Sequence, residues 1–248
     1  MTGSWIRRFH PNQGAEARVV CLPHAGGSAN FFHGLSGALA PAVEVLAVQY
    51  PGRLDRSREP LVDDIGVLAD EITAALGEWA QSPLTLFGHS MGATVGFEVV
   101  RRLERDGGQV RGLFASGRRA PSCGHETPLH PGSDAEMLDS LVALGGIEPE
   151  LLDFEDLVAM VVPVLRNDYR AIERYRADPG ATVRCPLTVL TGDSDPAVDD
   201  EQAQAWALHA TGGFTRRTFP GGHFYLKDHW PEIAGILTGH VRAAAVGS

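Results

Sequence analysis

The sequence predicts an α/β fold: a mostly parallel, doubly wound sheet with helices on both faces and a helical insertion. Three observations carry that prediction. Short apolar runs alternate with stretches of helical spacing along most of the chain. Several runs end in loops rich in Gly, Pro and Asp, which in a parallel sheet gather at the carboxyl edge where ligands bind. The alternation stops at about residue 120 and resumes at about 179, so the intervening segment is inserted between strands.

A chain of 248 residues suits a single domain, with 120–179 an insertion within it. Its 44% hydrophobic and 21% charged residues are ordinary for a globular protein. A net charge of −10 argues against nucleic acid or an anionic membrane as a general partner. No apolar run approaches the ~18 residues of a membrane span. The N-terminus lacks the apolar core of a secretory signal, so a cytoplasmic location is expected; a monomer is expected as well. Cys21, Cys123 and Cys185 are widely spaced and read as free thiols rather than metal ligands.

The elements follow in order. Trp5 to Phe9 reads as an outer strand and Ala17 to Leu22 as a buried one. The loop Pro23-His24-Ala25-Gly26-Gly27-Ser28-Ala29 comes next, then a helix over Phe31 to Ala40. Val43 to Val48 is a strand, Tyr50-Pro51-Gly52-Arg53 a turn, and Leu61 to Trp79 carries helical apolar spacing. Leu84 to Phe87 is a strand and the residues after Gly92 a helix; Val110 to Ser116 is the next strand. Within the insertion, 121–132 reads as loop, and Asp134 to Leu144 and Asp156 to Tyr175 as helical, with Pro163 expected to kink or divide the second. Pro186 to Leu190 and Phe214 to Phe219 are strands, flanking a helix over Asp200 to His209, and Pro231 to Ala245 closes the chain.

The chemistry centres on Gly88-His89-Ser90-Met91-Gly92, set where a strand turns into a helix. Gly-x-Ser-x-Gly in that context is a nucleophile elbow. The turn is too tight for side chains two residues either side of the serine, and glycine meets that demand. Ser90 is the candidate nucleophile, and the Met91 N–H at the helix start is placed to stabilise an oxyanion. A serine needs a base, and the base an orienting carboxylate. His223 follows Gly221-Gly222 at a strand end, and Asp195 follows another, in the order Ser, Asp, His. Asp193 is the rival carboxylate. The glycine-rich loop after Leu22 matches neither GxGxxG nor GxxxxGK[ST], so it reads as the second oxyanion donor rather than a phosphate cradle. Ala25 is the first choice for that donor and Gly26 the second. His24 and His89 read as packing or loop residues, and His209, His229 and His240 as surface. No cofactor or metal is implied.

These motifs, with Tyr50-Pro51-Gly52-Arg53 and Gly221-Gly222-His223-Phe224-Tyr225-Leu226, resemble the type II thioesterases of polyketide and nonribosomal peptide biosynthesis. The resemblance implies an α/β-hydrolase fold and a catalytic set of Ser90, Asp195 and His223, with Met91 and Ala25 in the oxyanion hole. Segment 120–179 reads as either an extra helical layer or a lid, and the resemblance, through its length and character, implies a helical lid. It implies hydrolysis of acyl thioesters on the phosphopantetheine arm of acyl or peptidyl carrier proteins, clearing stalled groups from a megasynthase. Apolar residues Met137, Leu141, Leu144, Ile147, Leu151 and Met160 either line an acyl channel or pack on the domain. Arg53, Arg56, Arg58, Arg118 and Arg119 are expected on loops at the site rim, where they would meet an acidic carrier. An esterase or lipase on oxygen esters, an acyltransferase, and an inactive binding module on the same fold are the alternatives.

Overall fold

The structure is a computed structural model and describes residues 5–124 and 132–246. Of the loop expected over 121–132, residues 125–131 lie outside the described residues. Seven strands form one sheet: β1 (Ile6–Arg7), β2 (Ala17–Leu22), β3 (Val43–Val48), β4 (Leu84–His89), β5 (Val110–Ser116), β6 (Leu187–Gly192) and β7 (Phe214–Phe219). Their order is β1-β3-β2-β4-β5-β6-β7; β1 is antiparallel to β3 and every other pair is parallel. The helices are α1 (His33–Leu39), α2 (Ile65–Leu76), α3 (Met91–Arg105), α4 (Asp134–Ala143), α5 (Glu155–Arg174), α6 (Asp200–Gln204) and α7 (Trp230–Val246). None of the described helices is long and apolar enough to cross a membrane.

The period of two along each strand sorts the core into two layers. Leu22, Leu86, Leu113 and Val189 face one layer, which α2 and α3 complete with Leu68, Ile72 and Phe97. Their strand neighbours Cys21, Phe87, Phe114 and Leu190 face the other, completed by Leu35 of α1 and Leu237 of α7. Each such side chain, once buried, contributes about 1.5–3 kcal/mol. The apolar runs are continuous because both faces of a parallel sheet are covered.

Two elements differ from the sequence reading. The stretch expected as one helix over 61–79 starts at Ile65, where Asp64 accepts the Val67 N–H at 3.0 Å, and ends as α-helix at Leu76. Gly77, at φ +38°, turns the remainder into a 3₁₀ segment to Gln81. Pro163 does not divide α5, which runs unbroken through it. The buried neighbours Val162, Val164 and Leu165 hold the turn that the missing N–H weakens.

The parallel register brings the carboxyl ends of β2, β4, β5, β6 and β7 to one edge. Leu22 pairs with Gly88, His89 with Ser116, and Gly192 with Phe219. There α3 lies against the end of β2 so closely that a Cβ on Gly92 would sit 2.0 Å from the Leu22 carbonyl oxygen. A Cβ on Gly96, one turn further along, would meet only the Leu113 and Leu22 side chains at 3.4 Å. Gly92→Ala is therefore expected to give no soluble folded protein. Gly96→Ala is expected to fold with unchanged or slightly raised stability in urea titration, since alanine favours a helix by up to ~1 kcal/mol over glycine. Equal behaviour of the two variants would remove the close-approach argument.

Candidate active site

Ser90 occupies the single residue between β4 and α3, with φ +54° and ψ −118°. A non-glycine residue there is strained, and such strain persists only where surroundings over-determine it. Here the Ser90 N–H donates to the Ser116 carbonyl at 2.8 Å. A Cβ on Gly88 would lie 2.1 Å from the Gly92 carbonyl oxygen, so both glycines of the motif are fixed by backbone contact. Met91 begins the 15-residue helix α3 and is fully buried. The first N–H groups of a helix have no partner within it, and the helix dipole makes them a site for negative charge.

His223 and Asp195 are paired. The His223 Nδ1 lies 2.9 and 3.0 Å from the two Asp195 carboxylate oxygens, and both residues are buried. Asp195 Oδ1 also accepts the Ala197 N–H at 2.9 Å. Asp193 serves the loops instead. It accepts the Gly221 N–H at 2.9 Å and the Ser194 hydroxyl at 3.2 Å. It thereby ties the loop after β6 to the loop that carries His223. A Cβ on Gly192 would fall 2.3 Å from both the Gly221 and Gly222 carbonyl oxygens, so these two loops touch backbone to backbone.

Gly117 joins the serine side of the site to the histidine side, and sequence reasoning missed it. It follows Ser116, which holds the Ser90 N–H, and its φ is +58°. A Cβ there would meet His89 Cε1 at 2.7 Å and His223 Cε1 at 3.3 Å. Gly-Arg-Arg after a strand carries no motif, so only the positive φ and the ring contacts expose its role.

Beneath His223 lies a packed group of rings. His89 is 5.0 Å from His223 between centroids, and Phe224 stands edge-on to His24, His89 and His223. The Ser116 hydroxyl links His89 Nδ1 at 3.0 Å to the Tyr225 hydroxyl at 2.8 Å. Burial, and next the nearby His223, push the His24 imidazole down to about 3. The same two causes hold His89 well below the ordinary histidine range. Both rings therefore stay neutral and place no fixed positive charge beside His223, in keeping with a packing role.

Of the two loop candidates for the second oxyanion donor, Gly26 spends its N–H on Asp168 Oδ2 at 2.8 Å. Ala25, buried beside it, is the one whose N–H that bond does not consume. Next to Gly26 a cavity of about 390 Å³ opens between the 52–61 segment and α5, walled by Leu54, Leu61, Leu157, Met160, Val161 and Val164.

Several expectations need correction. Arg53 and Arg56 do not reach a rim; they are 6% and 5% exposed. Arg53 pairs with Asp168, and Arg56 pairs with Glu59 at 2.6 Å and covers the Trp5 ring. Arg118 is half-buried, donates to the Thr94 hydroxyl at 3.1 Å, and is pushed down to about 10 by burial and the adjacent Arg119. Arg119 donates to the Gly124 and Ala197 carbonyls; Arg58 is exposed as expected. Among the proposed channel residues, Met137 and Leu141 are buried in the main core, and Met160 is the one that lines the cavity. His209 is not on the surface but fully buried, bonded to Ser122 at 2.7 Å and the Ala181 carbonyl at 2.6 Å. His240 is half-buried against the Arg111 carbonyl. Sequence alone cannot distinguish a loop arginine in water from one folded back onto its own backbone carbonyls.

Gly117→Ala is expected to lower turnover sharply while Gly107→Ala, at a positive φ in open space, leaves it intact. Comparable turnover of the two would remove Gly117 from the site. The acid response has a defined sign. His24 and His89 bind fewer protons folded than unfolded, so their contribution is complete above the unfolded pKa of ~6.5 and is lost as pH falls below it, for His24 on the way to about 3. The melting temperature is expected to drop through that window and to drop less in His24→Phe. A melting temperature flat from pH 6.5 to 4 would contradict this.

The chain resembles known proteins over nearly its whole length. The Thioesterase domain family model matches residues 17–240. The chain is 44% identical over 242 residues to Thioesterase PikA5 of Streptomyces venezuelae, covering 97% of this chain and 86% of that protein. It is 46% identical over 229 residues to a probable cadicidin biosynthesis thioesterase of Streptomyces griseus, covering 92% of this chain and 63% of that protein. The structure of the type II thioesterase BorB from the borrelidin biosynthetic cluster superposes with a TM-score of 0.89 at 46% identity, covering 97% of this chain and 99% of BorB. With an elbow serine, a buried His–Asp pair at the same sheet edge and these relatives, the chain belongs to the thioesterase family, as a serine hydrolase of the type II kind found in polyketide and nonribosomal peptide clusters.

Proposed function

We propose that this protein is an editing thioesterase, hydrolysing acyl groups from the phosphopantetheine arm of acyl or peptidyl carrier proteins through Ser90, His223 and Asp195. The observation that carries the reading is the buried His223–Asp195 pair at the sheet edge where Ser90 is held in its strained turn. Asp195 fixes the imidazole with its proton on Nδ1, leaving the Nε2 lone pair for the serine. His223 takes the Ser90 proton as Oγ attacks the thioester carbonyl. The N–H groups of Met91 and Ala25 hold the oxyanion. Collapse expels the pantetheine sulfur, to which His223 returns the proton, and leaves an acyl-serine ester. Water, deprotonated by His223, attacks that ester; the acid leaves and Ser90 regains its proton. No cofactor enters either half.

The segment 120–179 acts as a lid over this centre, and the cavity against α5 receives part of the acyl-pantetheine arm. Its apolar wall suits an acyl chain or the pantetheine stem, and it starts at Gly26, one residue from the proposed oxyanion donor.

The decisive comparison is turnover of one acyl group on a carrier protein, on free pantetheine and on p-nitrophenol. Preference for the carrier, abolished in Ser90→Ala, is the expected result. Equal turnover of the oxygen ester without a carrier effect points to a general esterase, and acyl transfer to an added alcohol to an acyltransferase. Asp195→Asn is expected to lower kcat by about 10⁴-fold by releasing the wrong tautomer; Asp193→Asn, which touches only the loops, is expected to cost far less. Equal losses would unseat Asp195. Met160→Trp is expected to raise KM for long acyl groups more than for acetyl, and a uniform change would place the acyl chain elsewhere.

A further inference from the structure

We propose that Asp168 and Arg53 are positioning residues that set the oxyanion loop, so that the inserted helix α5 determines where the Ala25 N–H stands. The proposal rests on the reading above in which Ala25 is an oxyanion donor.

The loop from Pro23 to Ala29 is gripped at four backbone groups. The Tyr50 hydroxyl donates to the Pro23 carbonyl at 3.2 Å, and Gln49 Oε1 accepts the Ala29 N–H at 2.9 Å. Arg53 Nε donates to the Gly27 carbonyl at 3.3 Å. All three come from the segment after β3, close to the loop in the sheet. The fourth grip, Asp168 Oδ2 on the Gly26 N–H at 2.8 Å, comes from α5, 142 residues further along the chain. Asp168 and Arg53 form one unit, because the Arg53 guanidinium donates to the same carboxylate oxygen. Together they clamp the N–H of Gly26 and the carbonyl of Gly27, the two groups of adjacent residues.

The clamp is itself fixed. Arg53 Nη1 donates to the Pro51 carbonyl at 2.8 Å, and Gln49 Nε2 donates to the Arg53 carbonyl at 3.1 Å. On the helix side, Asn167 Nδ2 donates to the Val62 carbonyl at 2.8 Å. Apolar contact reinforces the grip: a Cβ on Gly26, whose φ is +74°, would touch Leu165 of α5 at 3.3 Å. Asp168 is 1% exposed and Arg53 6%. A buried ion pair is a poor source of stability, since apolar residues of similar volume commonly replace it without loss. Geometry is what this pair adds. Ala25 lies between the held Pro23 and the held Gly26, so its N–H moves only if α5 or the 49–53 segment moves.

An oxyanion donor must meet the developing charge within a narrow range, and a misplacement of about 1 Å can cost ~10²-fold in rate. The same helix walls the cavity with Leu157, Met160, Val161 and Val164. An acyl group seated there rests against the helix that places the donor, which couples the fit of the acyl group to kcat rather than to binding alone.

The test combines three variants of the full chain: Asp168→Asn, Arg53→Met with Asp168→Leu, and Ser90→Ala. The double variant removes both charges and the acceptor of the Gly26 N–H together, so neither charge is left buried without its counter-ion. It is expected to melt near the wild type, to lose about 10²-fold in kcat on an acyl-pantetheine thioester with KM unchanged, and to react with a fluorophosphonate more slowly by a similar factor, because the P=O group uses the same donors. Asp168→Asn keeps an oxygen for the Gly26 N–H and is expected to recover most of both rates. Wild-type kcat in the folded double variant overturns the proposal. So does a loss confined to KM, a loss matching only the unfolded fraction, or an Asp168→Asn variant as slow as the double one. Should the double variant fail to melt cooperatively, Asp168→Ser is read by the same criteria. Failure of the functional reading is separable: a wild type that labels at Ser90, as Ser90→Ala does not, yet leaves thioesters intact removes the thioesterase assignment while the labelling rates still judge the clamp.

Discussion

The site depends on one close approach: the backbone of the β4–α3 turn against the end of β2. Gly88, Gly92 and the Leu22 carbonyl leave no room for a Cβ at either glycine. That crowding forces Ser90 into its positive φ, starts α3 at Met91, and brings the loop after β2 beside the serine. The cost is borne by the sheet, whose two buried faces over-determine the turn.

Around that turn, each loop at the carboxyl edge has been given a separate holding group. Asp193 binds the two loops that carry Asp195 and His223 to one another, while Asp195 binds the imidazole. Two neighbouring carboxylates thus divide support from orientation. Gly117 supplies the space in which His89 and His223 stand near each other, and the burial of His24 and His89 keeps those rings neutral. A second imidazolium beside His223 would oppose the charge that His223 acquires as a base in the proposed mechanism.

The insertion is more closely bound to the body than its sequence suggests. Helix α5 sets Leu165 and Asp168 against the loop after β2 and lends an apolar wall to the cavity, and its Arg174 meets Asp63 at 3.2 Å. Arg53 and Arg56, which a linear reading assigns to an outer rim, fold inward because each finds backbone carbonyls and a carboxylate that satisfy its fork of donors. The electrostatics of the rim therefore belong to other residues than Arg53 and Arg56.

The sequence by itself determined the alternation of strands and helices, since apolar period and run length are local properties, and it determined the strand–elbow–helix junction, since only glycine tolerates that spacing. It also located Asp195 and His223 at strand ends on the edge that holds Ser90, because parallel order places all such ends together. Helix limits were partly readable: the Asp64 cap and the Gly77 stop that shorten the 61–79 stretch are local signals, whereas the continuity of α5 through Pro163 depends on what packs against it. What only the tertiary structure decided are the pairings over long separations: Asp195 rather than Asp193 on the imidazole, Asp168 on Gly26, Gly117 against two rings, His209 in the core. These depend on which side chain finds an unfilled donor or acceptor once the backbone has closed, and a buried polar group accepts whichever partner the packing delivers.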